Sequence, residues 1–242
     1  MSYASDNPYR NWGMVAAQAE TSERASFIRQ TYLHLLAAVA AFAGLEAALL
    51  NSPVAERLTG TLVGHGQVGW LVVLGAFVFV SWLANKWANS ATSVGMQYAG
   101  LGLYVVAEAV IFVPLLYFAS QAGPPHVIAN AAILTAVVFC GLTAIVFATG
   151  ADFSWMRTGL MVAGLAALGV ILCSALFGFN LGIVFVAAML VLASGYILYD
   201  TSNVLHHYRI GQHVAAALAL FASVALLFWW VLRLLMSLNS RD

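Results

Sequence analysis

Apolar residues gather into seven stretches, at about 30–50, 67–84, 95–118, 127–149, 158–177, 181–199 and 214–238, each closed off by a short polar run. An α-helix rises 1.5 Å per residue, so about 20 apolar residues span the roughly 30 Å of bilayer hydrocarbon. All seven stretches are near that length, and none alternates with a period of two, so helices are expected and a β-barrel is not. The connectors NSPVAERLTG, NKWANSATS, SQAGPPH, GADFSWMR, GFN and TSNVLHHYRIGQ are too brief to hold a domain. The pattern predicts an all-α, polytopic membrane bundle of seven transmembrane helices over 29–242, preceded by a polar segment, 1–28. GFN is so tight that the fifth and sixth stretches also suit a re-entrant pair.

Composition agrees. The 242 residues are 63% hydrophobic and 7% charged, with a mean hydropathy of +0.92, more apolar surface than a soluble core of this size absorbs. Nine basic and nine acidic side chains give a net charge of zero, which excludes a nucleic-acid partner needing a basic face. The lipid bilayer is the partner the composition requires. The N-terminal run has no signal-peptide h-region, so the first span is expected to direct insertion. An N-terminus inside places Arg10, Arg24, Arg29, Lys86, Arg157 and Arg209 on the cytoplasmic side against Arg57, Arg233 and Arg241. That asymmetry favours a multi-pass protein with a cytoplasmic N-terminus. Cys140 and Cys173 lie inside apolar runs without CxxC spacing and are read as buried small hydrophobes. Small-residue pairs, including Gly178 with Gly182, are read as packing contacts between helices of one chain.

Charges inside the apolar stretches carry the candidate chemistry, because each costs about 3 kcal/mol on insertion scales. Asp200 closes the sixth stretch in GYILYDTSNVLHHY. Glu108 lies roughly 20 Å along the third, near mid-bilayer. It is expected to face the bundle, either as a neutral acid bonded to a neighbouring helix or as a proton- or cation-handling group lining a path. Glu46 and Arg233 lie at matching depths, about 24 and 28 Å along the first and last stretches, so an ion pair between them is expected, with snorkelling of Arg233 as the alternative. His206, His207 and His213 follow Asp200; a continued helix would set His207 on the Asp200 face, where its titration would report pH to the carboxylate. Solvated interfacial histidines are the plainer reading. His34 is read as a helix–helix contact, and Trp70, Trp82, Trp87, Trp229 and Trp230 as interfacial belt or core. Neither GxSxG nor HExxH occurs, so no enzyme, metal site or cofactor is expected.

Three segments, RQTYLHLLAAVAAFAG, AAILTAVVFCGLTAIVFATGADFSWM and GYILYDTSNVLHH, carry a resemblance to the Bax inhibitor-1 family, also called the transmembrane Bax inhibitor motif family, of the bacterial kind. Its most specific points are Thr135, Phe139, Gly141, the turn Asp152-Phe153-Ser154 and Tyr199-Asp200-Thr201. The resemblance implies a bundle with a central last helix, placed in a bacterial inner membrane, and a pH-sensitive leak of cations, chiefly calcium. It also implies a sensor of two aspartates, one matched by Asp200. The second is not matched: Ser223 stands at its position. Two adjacent carboxylates share a proton and cage a divalent cation; one carboxylate and a hydroxyl do neither well. Calcium-linked gating is therefore expected to be lost or altered, with Asp200 working through Ser223, a histidine or Glu108, and with protons or calcium as the candidate ions. The family likeness also offers an alternative: a modulator bound through its N-terminal segment to a membrane protease, without transport.

Overall fold

The computed structural model describes residues 14–90 and 93–239. Eight helices follow in order: α1 Thr21–Leu50, α2 Pro53–Gly64, α3 Gly66–Ala88, α4 Val94–Ala122, α5 Val127–Thr149, α6 Arg157–Phe177, α7 Ile183–His206 and α8 His213–Asn239. Seven of the eight, all but α2, are long and apolar enough to cross a membrane. Both α6 and α7 are of spanning length.

α2 corrects the reading of NSPVAERLTG as a loop. Ser52 accepts the Val54 N–H at 3.3 Å and Pro53 supplies the preset φ of a first helical turn. The twelve-residue helix lays Ala55, Thr59 and Leu62 inward. Ser93 caps α4 in the same way through the Met96 N–H, at 3.2 Å.

α8 is the central post. It packs against α1, α3, α4, α5 and α7, and 72% of its apolar window is buried, against 50% for α4 and 6% for α3. Aromatic rings fix this arrangement. Phe112 of α4 stacks on Phe228 with centroids 5.7 Å apart, meets Trp229 edge-on at 4.9 Å and meets Phe42 of α1 at 5.1 Å. Such pairs add about 0.5–1.5 kcal/mol each beyond their buried area. α3 approaches α4 closely at Gly100, where an added Cβ would fall 2.5 Å from the Ala88 nitrogen.

Two expectations about small residues change. Gly178 is the left-handed cap that ends α6 (φ 72°) and Gly182 precedes α7, so their spacing is a turn and not a packing motif. The α6–α7 contact uses Gly164, whose missing side chain admits the Tyr196 hydroxyl, and Gly195 beside Leu160. Cys140 and Cys173 are exposed on the outer faces of α5 and α6, not buried; facing lipid satisfies a small apolar side chain as well as a core does.

Candidate functional site

Three groups of residues converge at the end of the bundle that carries the N-terminal segment, here the proximal end. Asp200 sits six residues before the end of α7, about 9 Å in, and is buried. Its neighbour on α8 is Ser223, also buried, whose hydroxyl donates to Asp200 Oδ2 at 2.5 Å. Asp200 also lies within electrostatic reach of the phenols of Tyr104, Tyr196 and Tyr208. Tyr196 is held by its own bond to the Leu160 carbonyl, 2.9 Å. Tyr208 lies beyond the α7 span; burial first, then the charge of Asp200, pushes its phenol well above the usual range.

Glu108 joins Asp200 through α4. Tyr104, one turn before Glu108, lies within electrostatic reach of that carboxyl while its ring meets Phe221 of α8 at 6.1 Å. Both acids line an open cavity of about 1060 Å³ between α3, α4, α6, α7 and α8. Asn85 and Arg157 mark its proximal part, Trp70 and Arg233 its distal part. The polar groups thus share one lengthwise space in an apolar wall.

A clamp closes the proximal face. Asp152 forms an Asx turn, its Oδ1 accepting the Ser154 N–H at 2.9 Å. Ser202 of α7 accepts the Phe153 N–H at 2.9 Å, and the His207 ring reaches both Asp152 oxygens at 3.2 Å. The His206 ring meets the Gly150 carbonyl at 3.1 Å. The backbone bond from Ser154, then the His207 contact, holds the largely exposed Asp152 carboxyl down at about 2. Residues 14–19 add a strap: Val15 bridges Arg209, the Ala16 N–H donates to the Tyr208 carbonyl at 2.8 Å and the Ile210 N–H to the Met14 carbonyl at 2.9 Å.

These contacts redirect the histidines. His207 does not continue α7; it caps the helix and turns to Asp152, so it does not serve Asp200 directly. His206 is spent on Gly150, and the His213 ring, at the start of α8, meets that of His34 at a tilt of 52° with centroids 4.9 Å apart. His34 is the interhelical contact expected of it, bonding the Tyr98 hydroxyl of α4 at 3.0 Å. Glu46 and Arg233 make no ion pair. Both Glu46 oxygens are buried without a hydrogen-bond partner, and the Arg233 guanidinium lies over the Trp230 ring, 5.8 Å from its centroid. Matching depth on two helices does not fix matching azimuth, which is what the expectation lacked. Residues 1–13 and 240–242, with Arg10 and Arg241 of the charge asymmetry, lie outside the described residues.

Sequence reasoning gave Asp152 only as part of the turn that carries the resemblance, with no role of its own, and passed over Tyr104 and Tyr208. Asp152 opens an Asp-x-Ser turn, a local signal for a fixed side chain, and Tyr104 stands at the i, i+4 spacing from Glu108. Only the fold brings Tyr208 back under Asp200. Among the described residues no group of three His, Cys, Asp or Glu side chains is placed to hold a metal ion.

The family model described as "Inhibitor of apoptosis-promoting Bax1" matches residues 24–241, nearly the whole chain. The chain belongs to the Bax inhibitor-1 family. Its Bax inhibitor-1 relatives include an uncharacterized membrane protein of Vibrio cholerae, 29% identical over 82% of this chain and 87% of that protein. An uncharacterized protein of Pseudomonas aeruginosa is 31% identical over 88% of this chain and 90% of its own length. The mouse protein named lifeguard 4 is 32% identical over 48% of this chain and 49% of its length.

Proposed function

We propose that this Bax inhibitor-1 protein handles protons or small cations along the lengthwise cavity, with Asp200 as gate residue and Glu108 further along the path. The observation that carries the reading is the placement of two buried acids in one space, with the Tyr104 phenol within electrostatic reach of both. Buried acids inside a bundle are costly and mark ion or proton routes by default. Ser223 supplies one donor to Asp200 and no second negative charge, so the site favours a proton or a monovalent ion over calcium, which seeks six to eight oxygens. The calcium leak of the family is accordingly weakened here. The clamp of Asp152 with Ser202 and His207, together with the strap over Tyr208, forms the proximal seal of the path.

The test is flux in proteoliposomes. Asp200→Asn keeps the shape and accepts the Ser223 bond while removing the charge, and it is expected to reduce proton or monovalent cation flux at least tenfold. Equal flux in wild type and Asp200→Asn overturns the assignment. The rival reading, a modulator of a membrane protease, predicts instead that deleting the N-terminal segment up to about Ser26 abolishes partner capture and leaves Asp200→Asn without effect on it.

A further inference from the structure

A second cavity, of about 530 Å³, opens at the distal end between the ends of α4 and α8 and the start of α3. Its wall is apolar and aromatic, with Trp70, Leu115, Phe118, Trp229 and Met236, and Arg233 is the charged side chain in it. Arg233 also lines the distal part of the larger cavity, as do Trp70 and Trp229, so the two spaces adjoin at these side chains. No carboxylate answers that charge: the ion pair found among the described residues is Asp152 with His207, and Glu46 is turned elsewhere. Trp230 covers one face of the guanidinium, and no described acceptor takes its N–H groups. A planar cation with open forked donors matches a phosphate diester bidentately.

We propose that this cavity holds a membrane phospholipid, its phosphate on Arg233 and an acyl chain against Trp70, Phe118, Leu115 and Met236. Three features select a lipid over a soluble anion. Arg233 lies about 30 Å along α8 from His213, at the depth of a headgroup if α8 spans the bilayer. The wall holds two tryptophans, Trp70 and Trp229, the side-chain type that settles at the headgroup level. The rest of the wall is hydrocarbon, which an inorganic ion cannot use, and the volume is within the roughly 300–1,000 Å³ of small-molecule pockets. The lipid supplies the counter-charge that Glu46 does not.

The experiment measures binding to the full chain in maltoside micelles by native mass spectrometry, with thermal unfolding in parallel. Three probes separate the sources: phosphatidylglycerol, diacylglycerol with the same chains and no phosphate, and inorganic phosphate. Phosphatidylglycerol is expected to bind wild type at least about tenfold more tightly than Arg233→Gln, the loss of one charge-assisted contact. Arg233→Lys, which keeps the charge without the fork, falls between them, and Arg57→Gln, on exposed α2 and outside both cavities, binds as wild type. Parallel unfolding of the free variants checks that Arg233→Gln remains folded. Equal binding of phosphatidylglycerol to wild type and Arg233→Gln overturns the proposal. So does diacylglycerol binding as tightly as phosphatidylglycerol, and so does inorganic phosphate reproducing the stabilisation alone.

Discussion

Ser223 and Asp200 make the contact on which the chemistry turns, and it is a bond between a hydroxyl and an acid where two acids are implied by kinship. A hydrogen bond to a charged group contributes about 1.5–3 kcal/mol, so Ser223→Ala is expected to destabilise the α7–α8 contact by that order, read as a lower unfolding temperature. Glu46 behaves in the opposite sense. Its oxygens are buried without partners, so Glu46→Leu is expected to stabilise the chain by about 1 kcal/mol or more. In a double-mutant cycle Glu46 and Arg233 should couple by less than about 0.5 kcal/mol; strong coupling would restore the ion pair that the geometry denies. Asp152 gives a pH prediction. Its carboxyl is held at about 2 against an ordinary 3.8, so its contribution to the clamp is fully present above about pH 4 and is lost as pH falls through 2. Hydrogen exchange at Phe153 and Ser154 should show the loop loosening over that interval, and in Asp152→Asn the loosening should already be present at neutral pH. The site's acids were legible because a carboxylate in an apolar run stands out. Ser223 was legible as a partner of Asp200 through the family resemblance, and the bond between them bears that out; Tyr104 and Tyr208 were not, because they are ordinary residues until the helices set them beside Glu108 and Asp200.

At the scale of elements, the seven long helices follow from length and hydropathy alone, whereas α2 needed its cap to be read: Ser52-Pro53 announces a helix inside a stretch whose polarity suggests a loop. Helix rotation was the illegible part. Nearly uniform apolar helices have no polar face to mark which side turns inward, and this is why Cys140 and Cys173 face outward and why Glu46 misses Arg233. Close approach is the exception that sequence can mark, since only glycine fits it. Gly100 lets α3 sit against α4, so Gly100→Leu should force the two apart and cost about 1–3 kcal/mol, with Gly102→Leu, which faces open space, as the control. Unfolding curves that do not separate the two variants would remove Gly100 from this role.

The described residues form a ring of helices around α8 with a lengthwise space on one side, the Asp152 loop and the 14–19 strap lying at its proximal end and Arg233 at its distal edge. The central claim is that Asp200, with Ser223 and not a second carboxylate beside it, handles protons or monovalent ions in this space and that calcium control is weak for want of that carboxylate. Ser223→Asp tests it most directly. Proteoliposomes holding wild type, Ser223→Asp and Ser223→Asp with Asp200→Asn are loaded with calcium-sensitive and pH-sensitive dyes, and flux is followed across the neutral pH range. The account predicts little calcium flux in wild type, a pH-dependent calcium flux in Ser223→Asp, and its loss in the double variant; a wild-type calcium flux as large and as pH-dependent as that of Ser223→Asp would contradict it.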